Sequence, residues 1–326
     1  MTLLKAIEIF IDNISVTDRQ EENITNSISN LDSHLKDEKS DLNVKKTFTT
    51  GSWDRDTILR PLDDVDIFAV LDVDKWKDDN GNLPNPQSVL TKMKNYLNSI
   101  TEYKDKVSQD RPCVTVKLSD KNFDILPSFE SSYGGYLIPN HDLLSWITSD
   151  PEQLSAQLDS IHRLRNYKVK PSIKGVKSWN RDIDKLIPSY HIEEAAISIF
   201  QLYDFKNFEE SIRIWFNQAE FYLHSSKFKS VDQYNTAIAK IKKVKDKLND
   251  AKEKYDDGEE TTAHQIWKDI FGKEFPAAEN EEAKSFAKAL SEGSLRVGAT
   301  GMLSTLTGMT TAASKGFYGD DLLEKE

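Results

Sequence analysis

The residues best suited to chemistry lie in one stretch, Gly51-Ser52-Trp53-Asp54-Arg55-Asp56-Thr57, followed by Asp63-Asp64-Val65-Asp66-Ile67. The run Val65 to Leu71 reads as a strand, and side chains alternate between the faces of a strand. Asp64 and Asp66 therefore share one face while Val65 and Ile67 point to the core. At a rise of roughly 3.3 Å per residue the two carboxylates stand about 7 Å apart, and they repel unless a cation lies between them. A divalent ion is the natural occupant. Oxygen-only ligands favour Mg²⁺, with Mn²⁺ as a substitute, and Mg²⁺ usually completes its shell with water and substrate phosphates. A third carboxylate, Asp124, sits inside the apolar run Phe123-Asp124-Ile125-Leu126. Unpaired and buried it would be costly, and a metal shared with Asp64 and Asp66 would remove that cost. Upstream, Gly51 lets backbone N–H groups approach a phosphate and the Ser52 hydroxyl supplies another donor. An isolated Asp-x-Asp also fits an acidic strand end facing water; the combination with Gly51-Ser52 and Asp124 points to metal-assisted phosphate chemistry.

A second group of candidates is cationic. Residues 161–190 carry eight Lys or Arg against two Asp, an excess of six positive charges inside a chain whose formal charge is −11. Lys170, Lys174, Lys177 and Arg181 step by four, three and four, which places them on one helical face, and Pro171 suits the first turn of that helix. Alone, such a stripe is a solvated basic face. Opposite an acidic, metal-bearing site it is a clamp for triphosphate and departing pyrophosphate. Ser189-Tyr190-His191 follow, ahead of an apolar helix from Ile192 to Phe205.

These residues need elements to hold them. Apolar residues at three- and four-residue steps from Leu3 to Leu35 predict one or two opening helices. Val44 to Thr50 predicts a strand ending in a turn at Gly51-Ser52, and Val65 to Leu71 a mostly buried strand. A polar loop at 78–87 precedes a helix over 88–100. Alternation over 114–118, a turn at 119–122 and a run at 123–126 predict a hairpin whose second strand stops at Pro127. Strand signals cease near 150, so the chain divides into an α/β half, residues 1–155, and a helical half, residues 156–326. Ile238, Ile241, Val244, Leu248, Ala251 and Tyr255 mark a surface helix with one apolar stripe. Residues 291–316, rich in Gly, Ser, Thr and Ala, suggest a pliable segment.

Composition narrows the classes. With 43 Lys and Arg against 54 Asp and Glu, this is not a protein built to coat nucleic acid. Cys113 is the single cysteine, which excludes an internal disulfide and a cysteine-based zinc cluster. No run approaches the roughly 20 apolar residues of a membrane span, and the first residues lack a signal-peptide pattern, so a cytoplasmic protein is expected, with no membrane partner.

A glycine-serine turn, an Asp-x-Asp on a strand and a third Asp on a later strand resemble the polymerase-β-like nucleotidyltransferase superfamily. Within it, GSWDRDTILRPLDDVDIFAVL is similar to the pattern of the bacterial cyclic GMP-AMP synthase and oligoadenylate synthase-like enzymes, the CD-NTases or SMODS proteins. Arg55 and Thr57 fall at matching positions, and Asp63 stands where Ser is more usual. The resemblance extends through NFDILPSF at 122–129, YLIPN at 136–140, Trp146 to Pro151, IWKDIFGKEFP at 266–276 and FYGD at 317–320.

The resemblance implies an α+β fold: a nucleotidyltransferase core with a mixed sheet, carrying the N-terminal helix, and a C-terminal helical-bundle lobe. It implies an Mg²⁺-dependent enzyme whose catalytic and metal ligands are Asp64, Asp66 and Asp124. Triphosphate contacts fall to Gly51, Ser52, Lys177 and Ser189, with Lys174 added from its helical face, and base stacking to Tyr190. A tyrosine there also fits a structural role in which only its hydroxyl needs a partner. The implied reaction joins NTPs, ATP among them, into a cyclic di- or trinucleotide or short oligonucleotide that a separate effector protein reads in anti-phage (CBASS) signalling. Activation by long DNA is not expected of an acidic chain with one cysteine. Nor is ligation through the C-terminus, since the final residues 322–326 lack a terminal glycine. The alternatives are a nucleotidyltransferase acting on RNA, protein or a small molecule, and a silent nucleotide-binding scaffold. The first would call for a broader basic track, the second for a broken carboxylate set.

Overall fold

The computed structural model describes residues 1–62, 64–110, 112–278 and 288–294, with short pieces at 296–297, 303–304 and 309–310. It separates into two compact units. One comprises Thr2–Pro276, and the other takes in Met1 and the residues from Ala277 onward.

The larger unit opens with helices α1 (Leu3–Ile14) and α2 (Asp18–Leu35). A capping box between Thr17 and Gln20 starts α2 by satisfying two otherwise orphaned N–H groups. Strand β1 (Val44–Thr50), the short helix α3 (Gly51–Asp54) and β2 (Val65–Leu71) follow, and then α4 (Val73–Trp76) and α5 (Pro86–Ser99). Asn85 caps α5 and Pro86 occupies its first turn, so that helix begins two residues before the predicted position. Strands β3 (Val107–Asp110), β4 (Cys113–Lys117), β5 (Asn122–Glu130), β6 (Tyr136–Pro139) and β7 (Trp146–Ser149) complete a seven-stranded sheet. Its order is β1-β2-β5-β4-β3, with β6 on β5 and β7 on β6; β2 and β5 run parallel and the other pairs antiparallel.

Strand β5 passes through Pro127 instead of stopping there. Its pairing with β4 ends at Ile125 and its pairing with β6 begins at Phe129. Pro127 thus falls in a gap of the ladder on that side, where a missing N–H costs no inter-strand bond.

The sheet's two faces divide the labour. Ile67, Ala69 and Leu71 of β2, with Phe123 and Ile125 of β5, are buried against Ile24, Leu31 and Leu35 of α2 and Val89, Met93 and Leu97 of α5. Residues of the opposite parity, Asp66 and Phe68 on β2 and Asp124 and Leu126 on β5, face a cavity. A small aromatic cluster of Phe48, Phe68 and Tyr136 braces that face, with ring centroids 5.0–5.6 Å apart.

From residue 151 the unit is helical: α6 (Pro151–Leu164), α7 (Val169–Asp182), α8 (Ser189–Leu202), α9 (Phe208–Tyr222), α10 (Val231–Asp256) and α11 (Glu260–Phe271). The predicted stripe on α10 is buried from Ile238 to Ala251. Helix α1 packs on α7, α9 and α11. In the smaller unit the two-residue strands β8 (Arg296–Val297), β9 (Leu303–Ser304) and β10 (Met309–Thr310) pair antiparallel in the order β10-β8-β9. The FYGD and C-terminal motifs lie outside the described residues.

Candidate active site

Strand register builds the acidic centre. In the parallel β2–β5 pair Asp66 lies directly beside Asp124, and β1 sets Thr50, the residue before Gly51, beside Asp66. Adjacent strands stand about 4.8 Å apart, so two like charges lie side by side on the cavity face of the sheet. Burial, reinforced by the charge of Asp124, pushes the Asp66 carboxyl up to about 7. Burial also raises Asp124, opposed by the Thr115 hydroxyl, which donates to Asp124 Oδ1 at 2.6 Å.

Gly51 has no tolerable substitute. Its φ is +71°, and a Cβ placed there would sit 1.8 Å from Asp66 Oδ2. The bare backbone at the start of α3 therefore abuts the carboxylate, and Arg55 N–H closes the turn on the Gly51 carbonyl at 3.2 Å. Ser52 follows in α3, where its carbonyl accepts the Thr57 N–H at 2.8 Å.

A cavity of about 700 Å³ opens on this centre, lined by Thr50, Gly51, Arg55, Asp66, Cys113 and Asp124 from the sheet half. Asp150, Gln153 and Gln157 at the start of α6 also line it, as do Tyr190, Glu194 and Lys227 from the helical half. Its size suits a nucleotide-scale ligand. Tyr190, in the first turn of α8, is 40% exposed, and the Lys227 ammonium lies 5.4 Å from its ring centre. Burial and the two aspartates raise the Cys113 thiol, which leaves it protonated and unreactive.

Not every candidate is brought together. Asp64 precedes β2, is exposed, and accepts a hydrogen bond from Asn122 Nδ2 at 2.8 Å, although its charge still helps raise both Asp66 and Asp124. Among the described residues no three His, Cys, Asp or Glu side chains close around a metal position. Ser189 begins α8 and is exposed.

The lysine stripe differs most from expectation. Lys174 and Lys177 are only 7% and 6% exposed. Lys174 Nζ pairs with Asp56 at 2.8 Å. Lys177 Nζ donates to Glu193 Oε1 at 2.6 Å and to Thr57 Oγ1 at 2.9 Å. The helical face that carries them packs against residues 55–57 rather than lining the cavity, because these lysines have carboxylate partners across the interface. The cavity's lysine is Lys227, which follows α9. Sequence reading missed Lys227, Glu194 and Glu193; the one available signal was the Glu193-Glu194 pair interrupting an apolar helix.

Oxygen donors, two carboxylates crowded into register and a raised Asp66 pKa together suit a divalent cation, which would stabilise both ionised forms.

Residues 1–161 match the family model described as the Second Messenger Oligonucleotide or Dinucleotide Synthetase domain. A Bacillus cereus (strain VD146) protein named "Probable cyclic nucleotide synthase" is 27% identical over 279 residues, spanning 72% of this chain and 84% of that protein. A cyclic AMP-AMP-AMP synthase of Acinetobacter sp. (strain ATCC 27244 / 9458) is 31% identical over 167 residues, spanning 50% of this chain and 48% of that one. The solved structure of E. coli MS115-1 CdnC with ATP matches the fold with a TM-score of 0.67 at 15% identity, over 84% of this chain and 99% of that one. With the carboxylate pair, the glycine turn and a nucleotide-sized cavity on a mixed sheet, these likenesses point one way: residues 1–161 match the synthetase-domain family, and the chain is similar to the bacterial cGAS/DncV-like nucleotidyltransferases, the CD-NTases.

Proposed function

We propose that the cavity binds NTPs and condenses them, with release of pyrophosphate, into a cyclic di- or trinucleotide or short oligonucleotide messenger. The observation that carries this reading is the in-register Asp66–Asp124 pair, abutted by the Gly51 backbone, on the wall of a nucleotide-sized cavity. On this reading residues 1–155 are the nucleotidyltransferase core and 156–326 the helical lobe.

Asp66 and Asp124, with Asp64 turned in from Asn122, would hold Mg²⁺, for which Mn²⁺ can substitute. When bound, the ions align the triphosphate and lower the pKa of the attacking hydroxyl. Thr115 orients Asp124 and favours its ionised form, which is the form able to draw a proton from that hydroxyl. Gly51 and Ser52 present donors to phosphate oxygens, and Ser189 stands near enough in sequence to Tyr190 to add another. Tyr190 offers one face to a base while Lys227 approaches its ring. Lys174 and Lys177 act on the triphosphate through the segment they anchor.

ATP is the first substrate to test, since one relative is named for an all-adenosine product and one structural neighbour was solved with ATP. The family suggests anti-phage signalling through a separate effector in the bacterial cytoplasm. No helix among the described residues is long and apolar enough to cross a membrane.

The test is incubation with four labelled NTPs and Mg²⁺ or Mn²⁺, comparing phosphatase-resistant products from wild type and the Asp64→Ala/Asp66→Ala variant. Product from wild type alone is expected. Undiminished product from the variant refutes the site.

A further inference from the structure

Helix α8 is apolar through Ile192, Ala195, Ala196, Ile199 and Phe200, yet Glu193 is completely buried within it. A buried carboxylate is tolerated only when paired and hydrogen-bonded. Here one oxygen accepts Arg55 Nε at 2.7 Å, and the other accepts Lys177 Nζ at 2.6 Å and the Thr57 hydroxyl. Arg55 and Thr57 belong to the segment that follows the Gly51-Ser52 turn, whereas Lys177 belongs to α7. A single carboxylate therefore ties residues 51–57 to two helices.

We infer that Glu193 is a positioning residue for nucleotide binding: it holds Arg55 at the cavity wall and fixes the Gly51-Ser52 turn beside Asp66. The inference rests on the proposed NTP site and adds how that site is kept in shape.

Two features favour a positioning role over packing alone. First, the ties lead directly to the turn. The Thr57 N–H donates to the Ser52 carbonyl at 2.8 Å, and the Arg55 N–H to the Gly51 carbonyl at 3.2 Å. Second, Arg55 has a competing partner. It lines the same cavity as Asp66 and attracts its charge. A guanidinium released by Glu193 would pair with that carboxylate, spending on Asp66 the donors that a triphosphate needs. Lys177 and Arg55 hold the Glu193 carboxyl low against its burial, so the tie stays charged across the neutral range.

The experiment measures binding of a non-hydrolysable ATP analogue with Mg²⁺ by calorimetry, alongside circular dichroism and melting. It uses wild type, Glu193→Gln and the double variant Lys177→Met/Glu193→Gln. The double variant removes one cation with the anion and keeps the net charge of the buried trio, which guards the fold. Loss of one charge-assisted bond predicts affinity lowered about tenfold in any folded variant, with KM raised more than kcat is reduced. Wild-type affinity in a folded variant overturns the inference. So does loss of folded structure in both variants, which would make the cluster a purely structural tie. Failure of wild type itself to bind the analogue would instead count against the NTP site.

Discussion

In metal-free protein, replacing Asp66 by Asn will raise stability by an amount that grows with pH. The Asp66 carboxyl titrates near 3.8 in an unfolded chain and at about 7 in the folded one. Below pH 3.8 both states are protonated and the group contributes nothing. Between 3.8 and 7 the unfolded chain has lost a proton that the native state retains, so stability falls by about 1.4 kcal/mol per pH unit. Above 7 both states are ionised and the full penalty persists, about 4 kcal/mol as an upper bound. The neutral amide escapes it, with an advantage of about 1.6 kcal/mol at pH 5 and about 4 kcal/mol at pH 8. An unfolding entropy of about 2.1 cal/mol/K per residue, over 326 residues, converts these to gains in Tm of about 2 °C and about 6 °C. Differential scanning calorimetry in EDTA at the two pH values measures both. Adding Mg²⁺ at pH 8 should raise the Tm of wild type more than that of Asp66→Asn. A variant that melts no higher than wild type at pH 8, or a gap that does not widen from pH 5 to pH 8, would refute the account of Asp66 as a carboxylate crowded by burial and by Asp124.

Three further outcomes are expected. Gly51→Ala must adopt a positive φ and place its methyl where Asp66 Oδ2 lies, so NTP turnover should fall at least about 100-fold; near-normal turnover would remove the turn from the site. Thr115→Val deletes the hydroxyl that favours ionised Asp124, and the acid limb of the pH–rate profile should move to higher pH; an unmoved limb would separate Asp124 from the rate-limiting protonation. Tyr190→Ala should weaken nucleotide binding by about 1–3 kcal/mol while Tyr190→Phe keeps most of it, and equal affinities in titrations of the two would argue against stacking.

Much of this was legible along the chain. Alternation over Val65 to Leu71 assigns Asp66 and Ile67 to opposite faces, because strand side chains alternate whatever surrounds them. Asp124 stands out for a different reason, since a carboxylate within the apolar run Phe123 to Leu126 needs a partner to offset its burial. Local spacing likewise identifies the long α10 stripe and the change to helix after residue 150. What depends on neighbours was hidden. Pro127 continues a strand because the ladder beside it has a gap, and no local propensity encodes that gap. Lys174 and Lys177 lie on one helical face, as their spacing says, but whether that face meets phosphate or carboxylate is decided by what packs against it. Glu193, far away in sequence from Arg55 and Thr57, meets them only in the folded chain. Sequence by itself determined which residues carry charge and which face each takes, since these follow from backbone periodicity. Tertiary structure decided which charges meet, because a buried ion must find its partner across space and not along the chain.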